Sequence, residues 1–129
     1  MNWKDKIVWI TGSSSGIGLA LAIELNRAGA IVVRTARNSS ALLGTKGDFF
    51  FPENDIIKAG DVIDRSRMKE IADEIEGDVG PITCIVLNAG TYTPDDPTRF
   101  DLEQYEGITE VNYLGALRTI SAVLPYYLK

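Results

Sequence analysis

Histidine is absent from the 129 residues, and cysteine occurs once, at Cys84. Without histidine the chain cannot build a Ser-His-Asp triad, a histidine metal site or a histidine proton relay. A lone cysteine cannot form an internal disulfide, and it fits a reducing compartment. No apolar run approaches the roughly 18 residues of a membrane span, and the opening MNWKDK lacks the layout of a secretory signal. We therefore expect a soluble, cytoplasmic protein with no metal ion and no membrane contact.

Basic charge is also scarce, because 13 Lys and Arg residues stand against 18 Asp and Glu residues, a net charge of −5. Nucleic acids are bound through a basic face, so no nucleic-acid partner is expected. The chain does contain 45% hydrophobic and 24% charged residues, a composition typical of a globular protein. Residues 1–129 are therefore expected to form a single domain.

Apolar runs alternate with helical patterns along the chain, which predicts an α/β fold built on a parallel sheet. Buried strands are expected at 7–11, 30–36, 55–62 and 82–88. Helices are expected at 17–28, 65–76 and 101–128, with a stop at Gly29, an N-cap at Asp64 and a kink near Pro125. The weaker pattern of residues 37–54 allows one helical turn at most.

A glycine-rich turn joins the first strand to the first helix. It consists of Gly12, three serines, Gly16, Ile17 and Gly18. Such a turn can hold a phosphate, because glycines allow close backbone approach and the start of a helix offers unpaired amides. No lysine follows the last glycine, so this is not a nucleoside-triphosphate P-loop. The alternative is a plain strand–turn–helix junction whose serines cap the helix.

The pattern Thr-Gly-x-x-x-Gly-Ile-Gly at residues 11–18 resembles the short-chain dehydrogenase/reductase family. The resemblance implies a doubly wound, Rossmann-type sheet of strand order 3-2-1-4 that binds a nicotinamide dinucleotide. It also implies that the turn contacts the cofactor through six residues: Gly12, Ser14, Ser15, Gly16, Ile17 and Gly18.

Two later tripeptides match the same family. In the sequence GDV, the resemblance implies that Asp61 accepts a hydrogen bond from the adenine amine and that the Val62 backbone completes the base edge. In NAG, it implies that Asn88 ties strand ends together while Ala89 and Gly90 bring backbone close to the ribose. Alternatively, Asp61 merely ends a strand.

Asn112 is the third match, within the segment EVNYLGAL. Asparagine inside an apolar helix competes with the backbone, and here it has no evident structural purpose. The family resemblance implies that Asn112 helps to position a water molecule in a proton relay.

The end of the second strand indicates which cofactor is preferred. NAD-binding members of such folds place an acid there, next to the ribose 2′-hydroxyl. This chain has Ala36 followed by Arg37, and a guanidinium pairs well with a 2′-phosphate. Arg34 should point elsewhere by strand alternation. The sequence therefore favours NADP(H), unless Arg37 is only a solvated surface charge.

The catalytic set of the family is not found in these residues. Family members are usually about twice as long, with an active-site serine and a Tyr-x-x-x-Lys pair, and no tyrosine here has a lysine four positions later. The chain therefore resembles an amino-terminal NADP(H)-binding half that stops before the fifth strand and lacks activity by itself. The alternative function is a non-catalytic Rossmann-type binding or oligomerisation module.

A missing fifth strand would leave residues 82–88 as an exposed apolar edge. We therefore expect a homo-oligomer that buries this edge or the helix face around Leu114 and Leu117. The Phe49–Phe51 run is expected in core or interface packing rather than in contact with a cofactor.

Overall fold

The computed structural model describes residues 1–46 and 50–129. Its four strands are β1 (Ile7–Thr11), β2 (Ile31–Thr35), β3 (Asp55–Ile57) and β4 (Ile82–Val86). Its α-helices are α1 (Gly16–Arg27), α2 (Ser39–Gly44), α3 (Arg65–Glu74), α4 (Leu102–Thr109) and α5 (Gly115–Tyr127). A 3₁₀ turn at Pro52–Asn54 precedes β3, and π-helical turns at Ile75–Val79 and Glu110–Leu114 follow α3 and α4.

All strand pairs are parallel, in the order β3-β2-β1-β4, as the sequence predicts. The five residues of β1 are buried, because helices cover both faces of this central strand. One core cluster joins Trp9 and Val33 to α3 and α5, and the other joins Val8 and Val32 to α1. The sheet therefore separates two apolar layers, and the carboxyl ends of its strands lie along one rim.

The helix boundaries follow the signals in the sequence. Asp64 accepts a hydrogen bond from the Arg67 amide at the start of α3. At the end of α1, Gly29 has φ +90°, and the next amide, that of Ala30, donates to the Leu25 carbonyl. This is the arrangement by which a glycine stops a helix. Met68, Ile71 and Ile75 are fully buried, as their helical spacing predicts.

Two strand predictions need correction. β3 ends at Ile57, well before Val62. Beyond it, the Lys58 amide still donates to the Arg34 carbonyl, and the Gly60 amide donates to the Ala36 carbonyl. β4 is not a buried strand, because only Ile82 is buried and the remaining residues are exposed or half-buried. Its position at the edge of the sheet is the reason.

The long carboxyl-terminal helix also differs from the prediction. Its irregular turn lies at Glu110–Leu114 and not at Pro125, where the α-type bond from the Leu128 amide to the Leu124 carbonyl continues the helix. Pro125 lies in the last turn of α5, where the lack of its backbone N–H removes a single hydrogen bond.

Of the phenylalanine run, Phe49 lies outside the described residues, Phe50 is buried and Phe51 is 54% exposed. Within residues 1–46 and 50–129, no helix combines the length and the apolar character needed to cross a bilayer.

Candidate functional site: a cleft at the carboxyl ends of the strands

A cleft of about 570 Å³ lies where β1, β2 and β4 end. It contains eleven of the twelve residues that the sequence assigns to a cofactor: Gly12, Ser14, Ser15, Gly16, Ile17, Arg37, Asp61, Val62, Asn88, Ala89 and Gly90. Gly18 and Asn112 are not among its lining residues. In an open parallel sheet, the crevice beside the strand at which the order reverses is the usual ligand site. Here that strand is β1, between β2 and β4.

The first half of the glycine-rich turn is fixed by the end of β2. The Gly12 and Ser13 amides both donate to the Thr35 carbonyl, at 2.8 and 3.2 Å. Ser13 is fully buried, and its hydroxyl donates to the Ile10 carbonyl at 3.0 Å. Gly12 has φ +68°, and a Cβ there would lie 2.7 Å from the Cα of Ala89. Only glycine allows the turns after β1 and β4 to approach so closely.

The second half of the turn presents the start of α1 to the cleft. Ser15 occupies the N-cap position in an extended conformation, and its side chain makes no capping hydrogen bond. Gly16 has φ +57° with open space where a Cβ would stand, and Ile17 is 81% exposed. The alternative in which the serines cap this helix is therefore wrong for the N-cap residue. The partial positive charge and amides of the helix start face open space, which suits an anion.

Gly18 serves the packing beneath the turn. A Cβ at this position would lie 2.4 Å from both the Gly12 carbonyl oxygen and the Asn88 Nδ2. The residue is buried, behind the turn rather than on the cleft surface. Its missing side chain lets α1 lie directly against the turn, the role that the last glycine has in dinucleotide-binding motifs.

Asn88 ties the ends of β1 and β4 together, as the sequence predicts. Its Nδ2 donates to the Gly12 carbonyl at 2.9 Å. Beside it, the Ala89 amide donates to the Thr11 hydroxyl at 3.2 Å, and this hydroxyl donates to the Val86 carbonyl at 3.4 Å. Three hydrogen bonds thus hold the two turns of the cleft at a fixed separation.

Asp61 and Val62 lie within the connection from β3 to α3. The Asp61 carboxylate accepts the Ile63 amide at 3.1 Å and lines the cleft. Val62 is 6% exposed and packs where a Cβ on Gly115 would lie 2.6 Å from its Cγ2. Val62 therefore anchors the segment in the core, whereas the Asp61 carboxylate faces the cleft.

An ion-pair group on α3 braces this segment. Arg67 donates from Nε to the Ala59 carbonyl at 2.9 Å and from Nη1 to Glu74 at 2.9 Å. Lys58 forms a 2.6 Å ion pair with Glu74. The hydrogen bonds from Lys58 and then Arg67 lower the pKa of the Glu74 carboxyl below its ordinary value. The sequence analysis did not identify this group; Arg67 and Glu74 both lie on α3, but Lys58 comes from the connection after β3.

The two arginines near the end of β2 occupy different environments. Arg37 is exposed on the rim of the cleft, and no carboxylate among residues 1–46 and 50–129 lies within ion-pair distance of it. Arg34 points to the opposite side of β2 from Thr35, as strand alternation predicts, and forms a fully buried ion pair with Asp55. Only Arg37 is placed to meet a ligand in the cleft.

Asn112 has a structural role that the sequence analysis did not foresee. It lies in the π-helical turn and is exposed, and its Nδ2 donates to the Thr91 carbonyl at 2.9 Å while its Oδ1 accepts the Thr91 amide at 2.7 Å. The statement that Asn112 lacks a structural purpose is therefore wrong. It fastens the segment that follows Gly90 to the long helix.

Several further residues line the cleft beside the predicted ones: Thr35, Ala36, Asn38, Gly60, Thr91 and Val111. Each of them directly neighbours, or lies one residue from, a predicted residue in the chain, so extending each motif by one or two positions finds them. Val111 comes from the π-helical turn, directly before Asn112.

The chain was compared with known families and curated proteins. A family model described as short chain dehydrogenase matches residues 6–129. An uncharacterized oxidoreductase of Staphylococcus epidermidis is 32% identical and aligns with 98% of this chain and 54% of its own length. One from Listeria innocua is 33% identical, with coverage of 99% and 52%. The chain thus spans about half the length of the curated relatives it matches.

Solved structures show the same fold. Serine dehydrogenase from Escherichia coli superposes with a TM-score of 0.83 at 27% identity, covering 92% of this chain and 55% of that one. A gluconate 5-dehydrogenase from Burkholderia cenocepacia, solved in complex with NADP and tartrate, gives 0.81 at 28% identity, covering 96% and 50%.

Proposed function

Because the chain belongs to the short-chain dehydrogenase family, we propose that its cleft binds a nicotinamide dinucleotide, NADP(H) in preference to NAD(H). The observation that supports this most directly is the start of α1, which opens on the cleft without a side-chain cap. The amides of its first turn are available to a pyrophosphate. Open space at Gly16 removes the steric obstacle to close approach.

The rest of the cleft fits the remaining parts of such a ligand. Asp61 offers a carboxylate acceptor for an adenine amine, and the backbone of Ala89 and Gly90 lies across the cleft for a ribose. Arg37 supports the preference for NADP(H), because an exposed guanidinium at the end of β2 can pair with a 2′-phosphate. No acid stands at this position to accept the 2′-hydroxyl of NAD.

Calorimetric titration of residues 1–129 with NADPH and NADH tests the proposal. We expect tighter binding of NADPH, and we expect Arg37→Asp to reverse the order. Arg65→Asp is the matched control, because it changes the charge equally on an exposed residue outside the cleft. An unaltered preference in Arg37→Asp would refute the role of Arg37, and the absence of binding to both cofactors would refute the whole proposal.

The reaction class of the family, carbonyl reduction or alcohol oxidation, is part of the proposal for the whole protein. Bound nicotinamide supplies the hydride in that chemistry. The 129 residues include no Tyr-x-x-x-Lys pair to move the accompanying proton, and we propose that this chain alone binds cofactor without turnover. Measurable NADPH oxidation by residues 1–129 with a carbonyl substrate would contradict this. The free, half-buried Cys84 is compatible with a cytoplasmic setting.

A second candidate function is association with a second copy of the chain, with or without cofactor. It is favoured by apolar side chains exposed along α5: Leu117, Ile120, Leu124 and Tyr127 are 37–46% exposed. The edge of β4 offers another unpaired surface. Light scattering tests the α5 surface: Leu117→Asp should dissociate an oligomer, and Leu43→Asp, a substitution of an exposed leucine on α2, should not. A strictly monomeric wild type at high concentration would exclude the association.

A further inference from the structure

Arg34 is the one charged residue of β2, and it is fully buried. Neither it nor Asp55 has exposed side-chain surface, and two hydrogen bonds of 2.6 and 2.9 Å join the guanidinium to the carboxylate side by side. The guanidinium carbon lies 4.2 Å from the centre of the Phe50 ring. A charge in this position is costly to desolvate, so a purely stabilising role would be served equally well by two apolar residues.

The guanidinium of Arg34 also donates hydrogen bonds to residues outside the ion pair. Nη1 donates to the Thr45 hydroxyl at 2.8 Å, and Nη2 donates to the Leu42 carbonyl at 3.3 Å. These two residues belong to the last turn and the end of α2. Arg34 thus holds the carboxyl end of this short helix against the sheet.

The other end of α2 lies at the cleft. Asn38 is its N-cap, accepting the Ala41 amide, and Arg37 directly precedes it. A helix of six residues is only about 9 Å long, so we expect a shift of its carboxyl end to change the position of Arg37 at the other end. Through Nη1, Arg34 also donates to the Ser13 carbonyl, at 3.5 Å, inside the glycine-rich turn.

We propose that Arg34 is a positioning residue that sets Arg37 at a fixed distance from the glycine-rich turn and thereby determines the preference for NADP(H). The inference rests on the proposed function and deepens it. Arg34 itself touches no cofactor, because it lies on the opposite side of β2 from Thr35 and outside the lining of the cleft. Its effect passes through α2 to Arg37, while the turn stays held by the hydrogen bonds from the Gly12 and Ser13 amides to the Thr35 carbonyl.

The test replaces both partners, as Arg34→Met with Asp55→Leu, so that no unpaired charge is left in the core. Asn26→Leu is the control. It removes the 2.7 Å hydrogen bond from the Phe51 amide in the same core layer, yet Asn26 contacts neither α2 nor the turn through a hydrogen bond. If the double variant does not fold, Arg34→Lys provides the second probe, because lysine keeps the charge but cannot form the paired hydrogen bonds.

The first measurement is hydrogen exchange in the cofactor-free protein. We expect faster exchange at the Leu42 and Thr45 amides in the double variant and unchanged rates there in Asn26→Leu. The second is binding: NADPH and adenosine 2′,5′-bisphosphate should each weaken by about tenfold, and NADH by no more than about twofold. A loss of stability alone would weaken the binding of all three ligands, NADPH, adenosine 2′,5′-bisphosphate and NADH, by the same factor.

The two proposals can fail separately. If the wild type binds no dinucleotide, the proposed function fails, whereas the exchange rates still test whether Arg34 orders α2. If the folded double variant keeps the wild-type ratio of NADPH to NADH affinity, the positioning role is overturned. Unchanged exchange at α2 would overturn it as well, with cofactor binding intact.

Discussion

Asn112 holds both backbone polar groups of Thr91, accepting its amide at 2.7 Å and donating to its carbonyl at 2.9 Å. One side chain therefore satisfies both backbone polar groups of this residue. The π-helical turn at Glu110–Leu114 is the local structure in which this asparagine is presented. Such single π-helical turns inside α-helices are frequent at functional sites.

Asn112→Asp is predicted to loosen the segment around Thr91. The carboxylate still accepts the Thr91 amide, but it cannot donate to the carbonyl and repels it. Because the residue is exposed, we expect a loss of only about 1 kcal/mol of stability, together with faster exchange of the Thr91 amide. Urea unfolding and amide exchange measure the two effects. Exchange as slow as in the wild type would show that the segment is held by other contacts.

The glycines at positions 16 and 18 are predicted to respond differently to alanine. Gly18→Ala places a Cβ 2.4 Å from the backbone oxygen of Gly12, an overlap that only a shift of α1 or of the turn can relieve. Overpacking of this kind costs about 1–3 kcal/mol. Gly16→Ala meets open space and costs only the strain of φ +57°, about 1–2 kcal/mol.

Cofactor binding and stability should therefore separate in these two variants. Gly16→Ala adds a methyl group on the surface where a pyrophosphate would approach the helix amides, so binding should fall more than stability does. In Gly18→Ala both should fall together, because the turn itself is displaced. Urea midpoints measure the stability of the two variants, and NADPH titration measures their cofactor affinity. If both variants lose the same stability and bind NADPH equally well, the prediction is contradicted.

Much of the site was predictable because each motif lies at the end of a strand. In a parallel sheet those ends share one rim, so residues 12–17, 37, 61–62 and 88–90 had to come together once the order 3-2-1-4 was set. The sequence assigns Gly18 to the ligand, because a glycine motif does not indicate which of its glycines packs against protein atoms and which faces the ligand. Only the position of Asn88 and the Gly12 carbonyl resolves this.

The interactions that the sequence did not predict are those between distant residues. Arg34 and Asp55 are 21 residues apart, and so are Thr91 and Asn112. Neither pair has the fixed local spacing that a helix or a turn imposes. An arginine on a strand is usually expected at the surface, and alternation showed only that Arg34 would face away from Thr35. Its burial depends on a carboxylate supplied by the next strand.

The ion pairs of Glu74 are predicted to make stability pH-dependent in acid. Hydrogen bonds from Lys58 and Arg67 lower the pKa of this carboxyl in the folded protein below the ordinary 4.5. Its contribution is therefore complete above that pH and is lost as the pH falls through the lower, folded value. Glu74→Gln should be less stable than wild type at pH 7, and its stability should fall less in this acid range.

Thermal unfolding between pH 7 and the acid limit of folding tests this prediction. Glu106→Gln is the control, because Glu106 is exposed and forms no ion pair among residues 1–46 and 50–129. Added salt should narrow the difference between wild type and Glu74→Gln, since these charges are partly exposed. Parallel pH curves for the wild type and both variants would contradict the assignment.

Thr35→Val is predicted to destabilise the core at the point where β2 meets the glycine-rich turn. The Trp9 indole, 1% exposed, donates to the Thr35 hydroxyl at 2.9 Å. Valine keeps the shape but leaves the indole N–H buried without a partner, at a cost of about 1–3 kcal/mol. Thr35→Ser retains the hydroxyl and isolates the loss of the methyl group. If Thr35→Val is no less stable than Thr35→Ser in urea, the hydrogen bond does not contribute to stability. In a Trp3→Phe background, which leaves Trp9 as the one tryptophan, a changed emission spectrum in Thr35→Val but not in Thr35→Ser would show that the indole has lost this partner.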